Sequence, residues 1–426
     1  MNEIPPLREF TAASFKIGCL GFGGPAGQIA LMHRAFVDEK KWIGEEAFQH
    51  ALNFCMLLPG PEAQQLATYI GWRLHGVGGG LIAGVLFVLP GALVMLGLSI
   101  LYVYAGQALL VEAAFYGIRA AVVALIAEAL LRVGKRALKT PAHWLIAAAS
   151  FLALWLGQIP FPLVILAAGV LGALAPRANV SAAAPSPEPV RAADALKAAA
   201  FWGALWLTPP LTALLVLSPA HTLAQIGALF STLSMVTFGG AYATLAYLAQ
   251  QAVDTQHWLS AAQMIEGLGL AETTPGPLVL VNQFVGFLAG WNSGGLGLAF
   301  AGAAMATWCT FAPSFVWIFA GAPFAERLRA NARASAILHA ISAATLGVIA
   351  HMAAWFTLHV LFAEIGRTTL APGVAPLWPE LSSFDAVAAG LCLAVLALAF
   401  GLRLGPLALV AAAIASGLAA HGLGLV

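Results

Sequence analysis

Apolar residues in this chain come in long runs rather than alternating with polar ones. In the first half the runs cover roughly 10–32, 46–75, 79–104, 108–131, 142–157 and 161–175. A Pro/Ala/Ser-rich stretch with charges follows at about 176–197. The runs then resume at 198–217, 222–249, 262–290, 295–321, 334–362, 384–401 and 405–425. Runs of this length predict membrane-crossing helices, thirteen segments in all, with the charged stretch as a linker outside the bilayer. The expected fold class is an all-α polytopic membrane protein.

Two kinds of interruption break the pattern. Phe22-Gly23-Gly24-Pro25 interrupts the first segment, and Pro59-Gly60-Pro61-Glu62 the second. Proline removes a backbone donor and glycine adds conformational freedom. Inside hydrocarbon such breaks are tolerated only where the freed backbone groups meet protein, water or a ligand. Both breaks recur 216 positions later, as Phe238-Gly239-Gly240 and Pro275-Gly276-Pro277, with Asp38 matching Asp254 and Trp42 matching Trp258. Beyond a seven-residue insertion, Pro90 matches Pro313 and Ile118 matches Ile341. The ordered set indicates an internal duplication.

The expected domains are a first repeat at 1–175, a linker plus unpaired helix at 176–221, and a second repeat at 222–426. Six segments per repeat and one unpaired crossing between them predict inverted repeats with Gly/Pro-broken helices. Three basic groups predict a cytoplasmic N-terminus and a periplasmic C-terminus: Arg132, Lys135, Arg136 and Lys139; Arg177, Arg191 and Lys197; and Arg327, Arg329 and Arg333. Arg34, Lys40 and Lys41 fit that orientation only if segments one and two are re-entrant hairpins.

Composition narrows the function classes. Of 426 residues 61% are hydrophobic and only 9% charged, against about 25% charged in soluble chains. Mean hydropathy is +0.89. A net charge of +1 and the absence of any basic block argue against a nucleic-acid partner. Cys19, Cys55, Cys309 and Cys392 lie far apart in apolar runs and form neither a disulfide framework nor a metal set. Residues 1–9 are polar and lack signal-peptide character, so the first segment is expected to persist. No phosphate-binding loop, HExxH or Gly-x-Ser-x-Gly pattern is present, which argues against an ATP-driven pump and predicts no cofactor and no metal. An intramembrane enzyme is a remote alternative, since Glu62, Glu272 and scattered histidines complete no catalytic constellation.

The candidate chemistry sits at the breaks. Pro25 and Pro61 suit the first turn of a following half-helix, whose unpaired N–H groups and positive dipole end attract anions. The candidate substrate-binding residues are Gly23, Gly24, Pro59, Gly60, Pro61, Gln64 and Gln65 in the first repeat. Their second-repeat companions are Gly239, Gly240, Pro275, Gly276, Pro277 and Gln283. The structural reading of the same residues is a set of kinks filled by close helix packing, with amides serving local backbone. Charges inside apolar runs point to function or to internal pairs. Arg119 is the candidate anion-binding cation, and Glu112, seven residues earlier, the alternative ion-pair partner. Glu62 and Glu272 are candidates for proton coupling. Glu62 has Leu278 as its counterpart, so the repeats are chemically unequal.

These residues resemble the chromate ion transporter family in its long, two-domain form. The likeness rests on Phe22-Gly23-Gly24-Pro25, Trp42, Leu58-Pro59-Gly60-Pro61-Glu62-Ala63-Gln64-Gln65 and Phe87-Val88-Leu89-Pro90-Gly91. In the second half it rests on Thr237-Phe238-Gly239-Gly240 and Thr274-Pro275-Gly276-Pro277 with Gln283-Phe284-Val285-Gly286-Phe287. The resemblance implies a bacterial inner-membrane transporter that expels chromate down an electrochemical gradient. One departure is Gln28, where many members carry histidine. Expected partners are chromate, with sulfate as competitor, the lipid bilayer and, for assembly, a homodimer. The rival within the class is a transporter of sulfate or another divalent oxyanion, working in uptake.

Overall fold

A computed structural model describes residues 4–106, 108–157, 159–175, 192–238, 241–322, 332–371 and 374–425. Gly239 and Gly240, most of the predicted linker, and Arg177, Arg191, Arg327 and Arg329 lie outside the described residues. The protein is an all-α membrane protein apart from a small two-stranded hairpin. Among the described residues, five helices are long and apolar enough to cross a membrane, and five shorter apolar helices accompany them. Large apolar side chains on these helices face outward, among them Leu166, Leu174 and Leu215. A lipid solvent favours that exposure, because outward leucines meet hydrocarbon rather than water.

The chain divides into two compact units, each drawing segments from both halves of the sequence. The first holds α1 (Leu7–Leu20), α2 (Gly24–His33), α3 (Glu45–Cys55), most of α4 (Glu62–Ala105), α8 (Ala192–Leu217), α9 (Thr222–Val236) and α12 (Val281–Gly321). The second holds α5 (Leu109–Ala137), α6 (Pro141–Trp155), α7 (Phe161–Leu174), α10 (Ala241–Ala249), α11 (Ala261–Thr273), α13 (Ala332–Leu361), α14 (Ala386–Gly401) and α15 (Pro406–Gly422). Here β1 (Ile365–Arg367) pairs antiparallel with β2 (Leu377–Pro379) between α13 and α14.

Two of the long helices are folded back on themselves. In α4, His75 and Gly76 leave helical geometry, Gly76 with φ +62°. In α12, Gly294 and Gly295 do the same. A Cβ on Gly71 would lie 2.3 Å from the Gly79 carbonyl oxygen, and one on Gly290 2.2 Å from that of Leu298. Only glycine permits halves of each helix to approach so closely. The piece Glu62–His75 therefore rises only about 21 Å, short of a hydrocarbon core about 30 Å thick.

Unit two is built around α5. Gly117 of α5 meets the backbone of Ala413 in α15, and Gly417 of α15 meets that of Ala113 in α5, each without room for a side chain. Gly172 of α7 likewise packs against Ala336 and Ile337 of α13. In unit one a Cβ on Gly18 of α1 would strike the Leu86 carbonyl of α4 at 2.0 Å. Small residues thus set the helix spacing throughout, as expected where lipid supplies no hydrophobic driving force between helices.

A corner repeats at the 216-residue interval. Six-residue π-helices run over Arg34–Glu39 and Gln250–Thr255. Lys41 and His257 follow with φ +53° and +51°. The Trp42 N–H donates to the Phe36 carbonyl at 2.9 Å, and the Trp258 N–H to that of Ala252 at 2.8 Å.

Candidate functional site

Unit one brings the helix breaks together. α1 stops at Leu20, and Gly23 (φ +85°) and Gly24 (φ +69°) turn the chain into α2, with Pro25 in its first turn. α3 stops at Cys55, and Gly60 (φ +112°) turns the chain into α4 at Glu62. Gly276 (φ +98°) occupies the equivalent turn before the short 3-10 helix Leu278–Leu280 that opens α12. The Gly60 N–H donates to the Thr237 carbonyl at 2.9 Å, and the Gly276 N–H to the Gly21 carbonyl at 2.9 Å. Gly21 and Thr237 are themselves 216 residues apart, as are Gly60 and Gly276. Each Pro-Gly-Pro turn is therefore tied to the stretch leading into the other half's Gly-Gly break, and the two bonds are reciprocal.

Side-chain amides complete the crossing. Gln28 is fully buried, and its Nε2 donates to the carbonyls of Gly21 (3.1 Å) and Gly276. Gln65 Nε2 donates to the Pro59 carbonyl at 2.7 Å. The carbonyls of Gly21, Pro59 and Gly276, which would repel an anion, are thus occupied. The opening turns of α2 and α4 still present donors that have no intrahelical acceptor. Between them lies a cavity of about 20 Å³ lined by Pro25, Gln28, Gly60, Glu62, Thr237 and Pro277. That volume holds about one water-sized group, comparable with one oxygen of an oxyanion. Gln28 Oε1, Gln65 Oε1 and Ser314 Oγ are buried without a hydrogen-bond partner. Gln64 and Gln283 reach across unit one instead, Nε2 donating to the carbonyls of Phe311 (3.4 Å) and Ala92 (3.0 Å) respectively.

The remaining candidates belong to unit two. Arg119 Nε donates to Glu266 Oε1 at 2.8 Å, and the Tyr102 hydroxyl to Glu266 Oε2 at 2.5 Å. Both carboxylate oxygens are occupied, and Glu266 is nearly buried. The partner of Arg119 is thus Glu266, 147 residues away, rather than Glu112. Glu128 pairs with Arg132 one turn on. Glu272 is buried and accepts a hydrogen bond from the Tyr242 hydroxyl. Of the histidines, His359 stacks on Trp355 with ring centroids 3.9 Å apart. Among the described residues no three His, Cys, Asp or Glu side chains group as a metal site.

The family model for "Chromate transporter" matches residues 8–173 and 224–418 of this chain. The chain belongs to the chromate transporter family. A chromate transport protein of Pseudomonas aeruginosa is 34% identical over 404 residues, covering 91% of both chains. A chromate transport protein of Cupriavidus metallidurans is 30% identical over 80% of both chains. A probable chromate transport protein of Synechococcus elongatus is 29% identical, covering 81% of this chain and 83% of its own. No solved structure matches. Membership makes this a membrane transport protein rather than an enzyme.

Within this chromate transporter family member, the reading of the residues located the glycines and prolines of the breaks but not what closes them. Gln28, Gly21, Thr237 and Ser314 were outside the candidate set. Gln28 did carry a signal, as the residue that departs from the family pattern. Thr237 stands in a motif that carries the resemblance, whereas Gly21 and Ser314 are ordinary residues in sequence, and only the fold gives their backbone or hydroxyl groups a role.

Proposed function

We propose that the chain exports chromate from the cytoplasm across the bacterial inner membrane, driven by membrane potential, a proton gradient or both. The anion is held at the half-helix N-termini where the breaks cross. The reciprocal bonding of Gly60 to Thr237 and of Gly276 to Gly21 carries this reading. It leaves helix-start donors around one cavity while Gln28 and Gln65 occupy the competing carbonyls. A dianion leaving a cell that is negative inside gains about 2.3 kcal/mol per charge per 100 mV, so potential alone suffices to drive export. Glu62 at the cavity is the proton-coupling candidate, because a protonated carboxyl stops opposing the anion. Glu272 is its counterpart candidate in unit two. Arg119 acts in this reading through its pair with Glu266.

The accompanying architecture is two inverted repeats of six segments around the single crossing of α8, with both termini placed as the basic residues predict. The half-length helices α1, α2 and α3 and the first piece of α4 favour re-entrant hairpins for segments one and two. Cysteines placed near Lys40 would then label from the cytoplasm, and exclusively periplasmic labelling would rule the hairpins out.

Transport is tested with chromate flux into inside-out vesicles, with and without an imposed potential. Uptake that follows the potential and is lost in Gly60→Ala and Arg119→Ala is the expected result. Sulfate or another divalent oxyanion, moved in either direction, is the second reading, because backbone donors respond to charge and tetrahedral shape rather than to the central atom. Robust sulfate flux without chromate flux would keep the site and change its substrate.

A further inference from the structure

Unit one contains a second cavity that the crossed breaks do not use. It is a groove of about 630 Å³ between the second half of α4, α8 and α12. No charged residue lines it, and its outer wall includes the exposed side chains of Leu89, Leu93 and Phe300. A groove of that character on apolar helices opens to hydrocarbon. Its polar lining residues include Gln64, Gln283, Thr307, Trp206 and Trp308. Thr307 and Trp308 already donate to the carbonyls of Ala303 and Trp206, which leaves Gln64 Oε1, Gln283 Oε1 and Trp206 Nε1. All three are buried and lack a hydrogen-bond partner. The amide orientations are set by chemistry, since Nε2 of each glutamine donates to a backbone carbonyl and the reversed amide would oppose two oxygens. The groove therefore offers two acceptors and one donor within an apolar wall. Each orphaned group carries an uncompensated desolvation cost until it finds a partner.

We propose that this groove binds a membrane amphiphile with an apolar chain and a neutral hydroxyl head. The hydroxyl donates to the Gln64 or Gln283 amide oxygen and accepts from the Trp206 indole. Gln64 and Gln283 lie three and six residues beyond their Pro-Gly-Pro turns, so an occupant holds the breaks in place and inhibits transport. The inhibition rests on the transport reading, whereas the binding does not.

The experiment uses the full chain in nanodiscs, with chain-brominated dodecanol and its methyl ether as probes and quenching of tryptophan fluorescence as readout. The ether keeps the chain but cannot donate. The alcohol is expected to quench at about tenfold lower concentration than the ether, and Gln64→Leu combined with Gln283→Leu to abolish that difference. Ala304→Leu, which narrows the groove away from the polar atoms, should weaken both probes and leave basal flux unchanged. Equal quenching by alcohol and ether in the unmodified protein would overturn the proposal, as would a preference that survives the double leucine variant. Alcohol binding without loss of anion flux would keep the site and remove its inhibitory role.

Discussion

The two Pro-Gly-Pro turns share a backbone and differ in what surrounds it. Gly60 and Gly276 have φ of +112° and +98°, and each donates a 2.9 Å bond into the other half of the chain. The first turn is followed by Glu62, Gln64 and Gln65, the second by Leu278, Leu280 and Val281. The first faces Ser314, whose hydroxyl lies 3.8 Å from a Cβ built on Gly60. The second faces Gly91, where a Cβ would stand 2.0 Å from the Pro275 carbonyl oxygen. Gly91 and Ser314 are themselves equivalent, each following the matched prolines Pro90 and Pro313. Duplication preserved the turn, and divergence placed polar chemistry on one side and tight packing on the other.

The largest effect should come from forcing the two sides to match. Gly91→Ser copies the first side onto the second and drives a side chain into backbone, costing about 3 kcal/mol. Ser314→Ala at the equivalent place removes an unpaired buried hydroxyl and should be neutral or slightly stabilising. Thermal unfolding of both variants in detergent checks this; similar melting temperatures would erase the asymmetry. Next in size, Gly60→Ala and Gly276→Ala each place a side chain in a glycine-only conformation, at about 1–3 kcal/mol. Because the turns share geometry, the two losses should be comparable, with Gly60→Ala the worse because Gln65 Nε2 sits 2.9 Å from the new Cβ.

Gln28→Leu should cost about 1–2 kcal/mol by leaving the Gly276 carbonyl without its amide donor. Its repeat counterpart is Thr244, which belongs to unit two, so Thr244→Val should not reproduce the loss of anion flux expected for Gln28→Leu. Flux and unfolding measured on both variants decide the point.

The smallest effect concerns the repeated π-helical corners. His33 contacts Glu45 at 2.6 Å and Asp38 at 3.3 Å, and its counterpart is Ala249. The hydrogen bond to Glu45 is the main cause holding the His33 pKa above 6.5, with burial opposing it and the Glu45 and Asp38 charges adding to it. A raised value means the contribution is complete below pH 6.5 and fades as pH climbs through the folded-state value. Glu45 is lowered from 4.5, chiefly by Gln49 and then by His33, so its contribution is present above 4.5 and fades as pH falls through the lower folded value. These groups are solvent-facing, so the effect should be shallow and weaken with salt. His33→Gln should flatten the profile of stability between pH 6 and 8, and an unchanged profile would remove His33 from the account.

Much of this was readable from residue order, because the breaks are local. A Pro-Gly-Pro triplet interrupts a helix wherever it stands, and the gaps predicted at 76–78 and 291–294 contain or border the non-helical residues Gly76 and Gly294. Partners could not be read, because they are distant in sequence. Gly60 and Thr237 are separated by most of the first half, and Arg119 finds Glu266 where helical periodicity within α5 offered only Glu112 and Glu128. The short β-hairpin between α13 and α14 leaves no signal in the sequence, since its three-residue strands are too short for an alternating pattern to register.

The reciprocal bonds have a consequence for how the chain can be divided. Gly60 is completed by a carbonyl near residue 237, and Gly276 by one near residue 21. Neither half of the sequence can satisfy its own turn. Cut within the stretch preceding α8 and produced as two polypeptides, each fragment would carry an open turn until it met its complement, and the two should recover together what neither attains alone.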